Sequence, residues 1–336
     1  MKNKDIKSIE YLNKNSYFIK WYMNTWCNYH CPYCIQGDKS TNKESQEEQE
    51  IRAGKLNQIL LNNKIDKPLN IRLLGGECTI YDLTKILDKF SLPISLFSLT
   101  TNFSRDLNYF KKLYLYCKQK HIQFNLTCSW HEENLEFFSK LEQLLIWIKQ
   151  NNFSKPKVNV VVTNDTNLDY FEEQEKKLNL QFKYNIVRGK GNSQQELNPD
   201  LVKRINAKVK TYSGGHNLKV TFTNNEEKYF DSGFQIINQL DCGGFIGDGR
   251  LCDAGVNSIN IRAYGDIYRG ACSFLNNSEH LIGYLDDSNL KLPTEPILCE
   301  GSKFRNYSVR CSLCNHTSVG PVIKENLFKE EIDKYE

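Results

Sequence analysis

Six short runs rich in β-branched, aromatic and aliphatic residues, at 17–24, 69–74, 94–99, 122–127, 158–162 and 182–187, recur with helical stretches between them. This alternation limits the fold more than any other feature of the chain, because strands joined by helical crossovers run parallel in one sheet. The clearest helical stretch opens near Asn134 and places Phe137, Phe138, Leu141, Leu144, Leu145 and Ile148 on one face. Six βα units predict an α/β fold, a partial TIM-like (β/α)6 barrel, with its chemistry on the loops after the C-terminal ends of the strands. A last helix is expected over 193–210. The pattern then changes, and 218–230 reads as two β runs around the Asn224-Asn225 turn. The expected organisation is a barrel over 1–210, a bridging hairpin and glycine-rich connection over 211–250, and a smaller α+β domain over 251–336.

A chain of 336 residues, 40% of them hydrophobic, is long enough to bury a core. Its 44 Lys and Arg against 40 Asp and Glu are interspersed, so no dedicated nucleic-acid surface is expected. The first twenty residues are polar and carry both signs of charge. No apolar stretch of signal-peptide or membrane-spanning length follows, and a cytoplasmic protein without a membrane partner is expected. In a reducing compartment twelve cysteines are poor candidates for disulfides, and their short spacings point to metals or clusters.

Cys27, Cys31 and Cys34 stand at C-x3-C-x2-C spacing just past the first run. Three thiolates on one short loop hold three corners of an iron–sulfur cube and leave the fourth iron open, whereas a closed structural site takes four protein ligands. One βα unit later comes Gly75-Gly76-Glu77, with two residues that allow close backbone approach and a carboxylate to pair with an ammonium. Thr100, Thr101 and Asn102 follow the third run, Ser129 and His131 the fourth, and Arg188 and Gly189 the sixth, all at catalytic-end positions. The plainer alternative is that Asn102 or Ser104 caps a helix starting at Arg105 and that His131 is an ordinary loop residue. Cys78 and Cys117 read as buried small hydrophobes, and Cys128 and Cys299 have no assigned chemistry.

Together, the cysteine triplet and the Gly-Gly-Glu turn resemble the radical S-adenosylmethionine superfamily. The resemblance implies a [4Fe–4S] cluster on Cys27, Cys31 and Cys34, with the open iron chelated by the amino and carboxylate groups of S-adenosylmethionine. It places Tyr33, Gly75, Gly76, Glu77, Thr101, Asn102, Ser129, His131 and Arg188 around the cofactor or substrate. An external one-electron reductant, of flavodoxin or ferredoxin type, then drives cleavage to a 5'-deoxyadenosyl radical that removes a substrate hydrogen atom. Cys78 departs from the family pattern, standing where proline is common.

Further along, Cys252, the hairpin turning at Gly265, Cys272 and the Cys311-x2-Cys314 pair resemble the SPASM and Twitch extensions, as does the 282–285 link. The resemblance implies one auxiliary [4Fe–4S] cluster on Cys252, Cys272, Cys311 and Cys314. Six residues rather than the usual four separate Gly265 from Cys272. Cys242, in the glycine-rich stretch 241–250, is a candidate hydrogen-atom donor or ligand. Even with Cys242 and Cys299 the region holds six thiols, short of the eight that two fully cysteine-bound clusters take. The rival reading is a zinc-stabilised binding module, with Cys27, His30, Cys31 and Cys34 in one site and the four later cysteines in another; it leaves the βα order and the Gly-Gly-Glu turn unexplained. Relatives with such extensions act on peptides and proteins or on carbohydrate-like small molecules. The few residues before the first run weigh against a peptide-recognition domain there.

Overall fold

The computed structural model describes residues 6–12, 15–34, 43–186, 198–209, 218–230, 250–270, 280–298 and 319–322. The chain opens with a strand that the sequence pattern did not announce, β1 (Ile6–Tyr11), followed by β2 (Tyr17–Tyr22). Then come α1 (Gln46–Asn62), β3 (Leu69–Leu74), α2 (Leu83–Leu87), β4 (Ile94–Thr101), α3 (Leu107–Gln119), β5 (Gln123–Trp130), α4 (Phe137–Asn151), β6 (Lys157–Val162), α5 (Leu168–Leu178), β7 (Phe182–Ile186) and α6 (Pro199–Val209). Among the described residues the elements that follow are strands: β8 (Leu218–Phe222), β9 (Glu227–Phe230), β10 (Arg250–Cys252), β11 (Ser258–Ile261), β12 (Asp266–Tyr268), β13 (Leu281–Tyr284), β14 (Ile297–Leu298) and β15 (Val319–Val322).

All six expected barrel strands are present, and β2 to β7 pair in parallel in chain order. The mixed α/β fold with this parallel sheet is that of a partial barrel. Helices α1, α2, α3 and α5 start where a side chain satisfies a free N–H group of the first turn, whereas α4 has no side-chain cap. Ser45 and Glu48 form a reciprocal capping box on α1, and Asn167 caps α5. The cap of α3 is Asp106, which accepts from Tyr109 N, so neither Asn102 nor Ser104 has that role and the helix starts after Arg105. β5 runs to Trp130, which puts Ser129 inside the strand and leaves His131 as the first residue beyond it.

One face of the parallel strands is apolar and packs on the helices. Ile19, Trp21, Ile71, Leu73, Phe97, Leu99, Leu126, Val158, Val160 and Phe182 are buried there with Leu56, Leu60, Phe110, Leu113, Leu141 and Leu144 of the helices. Each such side chain contributes about 1.5–3 kcal/mol through burial. The opposite face alternates with it and carries polar residues, among them Lys20, Arg72, Ser98, Asn125, Asn159 and Lys183.

The strands outside the six barrel units lie in two places. β11 adds to the outer side of β2 in parallel, Ser258 level with Phe18 and Ile261 with Trp21, and β12 and β13 continue the sheet as antiparallel strands. A second sheet, in the order β14-β10-β15-β1-β8-β9, is antiparallel throughout and contains the hairpin expected around Asn224-Asn225. Ile6, Ile9, Tyr11, Leu218, Val220, Phe222 and Phe230 form its own small core. Among the described residues no helix is long and apolar enough to cross a membrane.

Candidate functional site

The loop after β2, which carries the three cysteines, is held against the turn after β3 by backbone bonds. Met23 N donates to Leu74 O at 2.8 Å, Gly76 N to Asn24 O at 2.9 Å, and Glu77 N to Trp26 O at 2.9 Å. The buried Asn24 side chain closes the seam, accepting from Gly76 N at 3.1 Å and donating to Glu77 O at 3.3 Å. The two glycines make this contact possible. A Cβ on Gly76 would lie 1.8 Å from Trp26 O, and Gly75 has φ +145° with Asn24 O only 2.8 Å from where its Cβ would be. The close approach they allow in this structure is to the cysteine loop's own backbone.

Glu77 is 1% exposed. Its Oε1 accepts from Thr79 N (2.8 Å), Thr79 Oγ1 (2.6 Å) and Thr101 Oγ1 (2.8 Å), and its Oε2 from Asn102 N (2.7 Å). Burial pushes its pKa up, against the pull of these bonds. The carboxylate thereby joins the turn after β3 to the end of β4. Asn102 carries the connection onward, because its Nδ2 donates to Asn28 Oδ1 at 2.8 Å and reaches Cys27 Sγ at 3.7 Å.

On the other side of the loop, His131 Nδ1 lies 3.3 Å from Cys31 Sγ and 3.1 Å from Tyr33 Oη. The Tyr33 and His131 rings stack at 5.9 Å, and Tyr29 meets the imidazole edge-on at 6.1 Å. Cys31 Sγ also donates to Glu133 Oε2 at 3.6 Å. Cys27 and Cys34 are half-buried and Cys31 is buried. Thus two of the sulfurs rest against polar groups presented by the ends of β4 and β5, and Cys34 N donates to Cys31 O at 3.2 Å. His30 is exposed on the same loop. Among the described residues no three His, Cys, Asp or Glu side chains are gathered into a metal-binding group.

Next to this loop is a cavity of about 170 Å³ at the ends of β5 and β6, lined by Tyr33, Trp130, Glu132, Thr163, Asn167 and Phe171 among others. Ser129 lies on the inward, polar face of β5 and is half-buried. Cys78, Cys117 and Cys128 are buried. Burial pushes the thiols of Cys78 and Cys128 well above their usual range and that of Cys117 up to about 12, so all three behave as packed apolar groups. Cys252 sits half-buried in β10 against the core of the second sheet. Arg188, Cys242, Cys272, Cys299, Cys311 and Cys314 lie outside the described residues.

Several residues that build the site escaped the sequence pattern: Asn24, Asn28, Thr79 and Glu133. Their partners lie up to 102 residues away, apart from Thr79, which is two residues from Glu77. For Thr79 a signal was present, since a hydroxyl two residues after an acidic residue suits a local turn. For the others no local signal exists.

The chain superposes on SuiB of Streptococcus suis bound to the precursor peptide SuiA, with TM-score 0.54 and 15% identity over 87% of this chain and 67% of that one. It superposes on native anSMEcpe with bound AdoMet (S-adenosylmethionine) with TM-score 0.51 and 17% identity, over 89% and 83% of the two chains. Both are radical S-adenosylmethionine enzymes. The fold is that of the radical S-adenosylmethionine enzymes. SuiB bound to S-adenosylmethionine matches at TM-score 0.52 and 17% identity over 82% of this chain, which spans 65% of SuiB's length. No family model and no curated protein matches the sequence. The cysteine loop and the Gly-Gly-Glu turn of this chain are adjacent at the C-terminal ends of β2 and β3.

Proposed function

We propose that the chain is a radical S-adenosylmethionine enzyme that removes a hydrogen atom from a peptide substrate. The observation that carries this reading is the seam itself: a three-cysteine loop bonded along its backbone to a Gly-Gly-Glu turn at the C-terminal ends of parallel strands. The residues fit an iron–sulfur cluster by the chemistry of the donor set. Three thiols share one loop, and the Asn102 amide and His131 imidazole lie against two of the sulfurs, where N–H donors stabilise thiolate charge. When bound, a [4Fe–4S] cluster and S-adenosylmethionine supply the one-electron cleavage that yields a 5'-deoxyadenosyl radical.

Around that chemistry the chain's own residues have separable tasks. Cys27, Cys31 and Cys34 are the proposed ligands. Glu77 and Asn102 hold the loop in place, and Tyr33 and Trp130 offer aromatic walls for the nucleoside in the cavity beside them. Cys252, with Cys272, Cys311 and Cys314, is assigned to one auxiliary cluster, and an external flavodoxin- or ferredoxin-type donor to the electron. The peptide class is favoured by one observation, that this fold in SuiB is bound to the precursor peptide SuiA.

The test is anaerobic reconstitution with iron and sulfide, then incubation with dithionite and S-adenosylmethionine. Brown protein that releases 5'-deoxyadenosine is expected, and Cys27→Ala should abolish the release. Colourless zinc-containing protein, or undiminished cleavage by Cys27→Ala, would overturn the proposal.

A further inference from the structure

The strand face turned away from the helices has a composition that the packing does not require. Arg72 of β3 stands level with Ser98 of β4, Ser98 with Asn125 of β5, and Asn159 of β6 with Lys183 of β7. A closed parallel barrel fills these positions with branched apolar side chains. Here they carry cations, amides and hydroxyls, and no Asp or Glu occurs on this face from β2 to β7. Among the described residues, the side chains of Arg72, Ser98, Asn125, Asn159 and Lys183 make no hydrogen bond or ion pair.

Lys183 keeps access to solvent, yet it sits deep among protein atoms. That enclosure, followed by the like charges of Arg72 and Lys157, lowers its pKa. Enclosure likewise lowers the pKa of Arg72. Two cations within reach of each other's field, with no carboxylate partner among the described residues, raise the free energy of this face. A negative ligand offsets that cost and gains charge-assisted hydrogen bonds.

We propose that the inner face of the barrel binds its substrate through a carboxylate, an Asp or Glu side chain of the peptide, held by Arg72 and Lys183 and oriented by Ser98, Asn125 and Asn159. This names the substrate class of the reaction site proposed above and rests on that reading. The carboxylate of S-adenosylmethionine has the same chemistry, and the experiment separates the two.

Fluorescein-labelled hexaglutamate and hexaglutamine are titrated with the reconstituted full chain under anaerobic conditions and followed by fluorescence anisotropy. The variants are Arg72→Gln/Lys183→Gln, the charge-retaining Arg72→Lys/Lys183→Arg, and Lys118→Gln/Lys149→Gln, which removes two exposed helix charges. Binding of S-adenosylmethionine is measured on each by equilibrium dialysis, and circular dichroism establishes folding. The Gln double variant should bind hexaglutamate roughly tenfold or more weakly. The other two variants should stay within about twofold of the parent. Hexaglutamine should not distinguish the proteins, and S-adenosylmethionine binding should be unchanged. Equal affinity of parent and Gln double variant for hexaglutamate, including no binding by either, overturns the proposal. So does loss of S-adenosylmethionine binding in that variant, which assigns the cations to the cofactor. If the Gln variant is unfolded, the charge-retaining pair decides: failure to bind hexaglutamate while folded also overturns it. None of these readouts needs turnover, so acidic-peptide binding without 5'-deoxyadenosine would sink the radical reading alone.

Discussion

A methyl group on Gly76 has nowhere to go, since Trp26 O occupies the space at 1.8 Å and is backbone, which cannot swing aside. Gly76→Ala should therefore push the cysteine loop away from its seam and destabilise the protein by about 1–3 kcal/mol, the usual cost of overpacking. A lower urea midpoint together with fewer iron atoms bound per chain would show it. Gly54 provides the contrast, because it lies within α1 with no atom within 4 Å of where a methyl group would stand. There, Gly54→Ala should stabilise by about 1 kcal/mol in the same titration through helix propensity alone. Glu77→Gln places an amide where four donors converge and leaves at least one of them facing another donor, at a cost of about 1–3 kcal/mol. Gly75, Gly76 and Glu77 were legible as a motif because they are contiguous. What they touch was not, because Asn24 and Trp26 are some fifty residues away and neither has a local signature.

At the scale of elements, hydrophobic periodicity located all six barrel strands, because each must bury one side against helices. It did not locate β1, whose partners β8 and β15 lie more than two hundred residues along the chain, so its pairing could be read only in three dimensions. Helix starts were less legible than helices, since several polar residues compete for one cap. Between Asn102, Ser104 and Asp106 the contest is settled by the bond from Tyr109 N to Asp106 Oδ1. Asp106→Ala should accordingly lower stability by about 1 kcal/mol, whereas Ser104→Ala should stay within about 0.5 kcal/mol of the parent. Equal losses in a denaturant titration would refute the assignment. One signal lay in the sequence unread: parallel strands covered on both faces are continuously apolar, yet 69–74, 122–127 and 182–187 alternate. Alternation in a parallel strand means that its second face meets water or a ligand.

Across the whole molecule, that polar inner face is where stability and ligand binding oppose each other. β11 joins the later part of the chain to the barrel sheet, and in the second sheet Arg250, buried, donates to Ile6 O at 2.5 Å and Lys7 O at 3.1 Å. On the barrel's inner face, by contrast, Lys183 is a solvent-accessible cation without a partner among the described residues, and the protein atoms crowded around it, then the like charges of Arg72 and Lys157, hold its folded pKa below its unfolded value near 10.5. Between those two values the unfolded chain still holds a proton that the folded chain has released, so unfolding takes up a proton and stability rises with pH. Below that window both states are protonated, and the cost of holding the charge on this face is present. Lys183→Met keeps the stem and removes the charge. It should be more stable than the parent at pH 7, and the difference should shrink as pH climbs through the window towards 10.5. Urea midpoints at pH 7, 8.5 and 10 measure this directly. A parallel pH dependence in the two proteins would mean that Lys183 is solvated as in the unfolded chain, and the barrel's inner face would then hold no unmet demand for an anion.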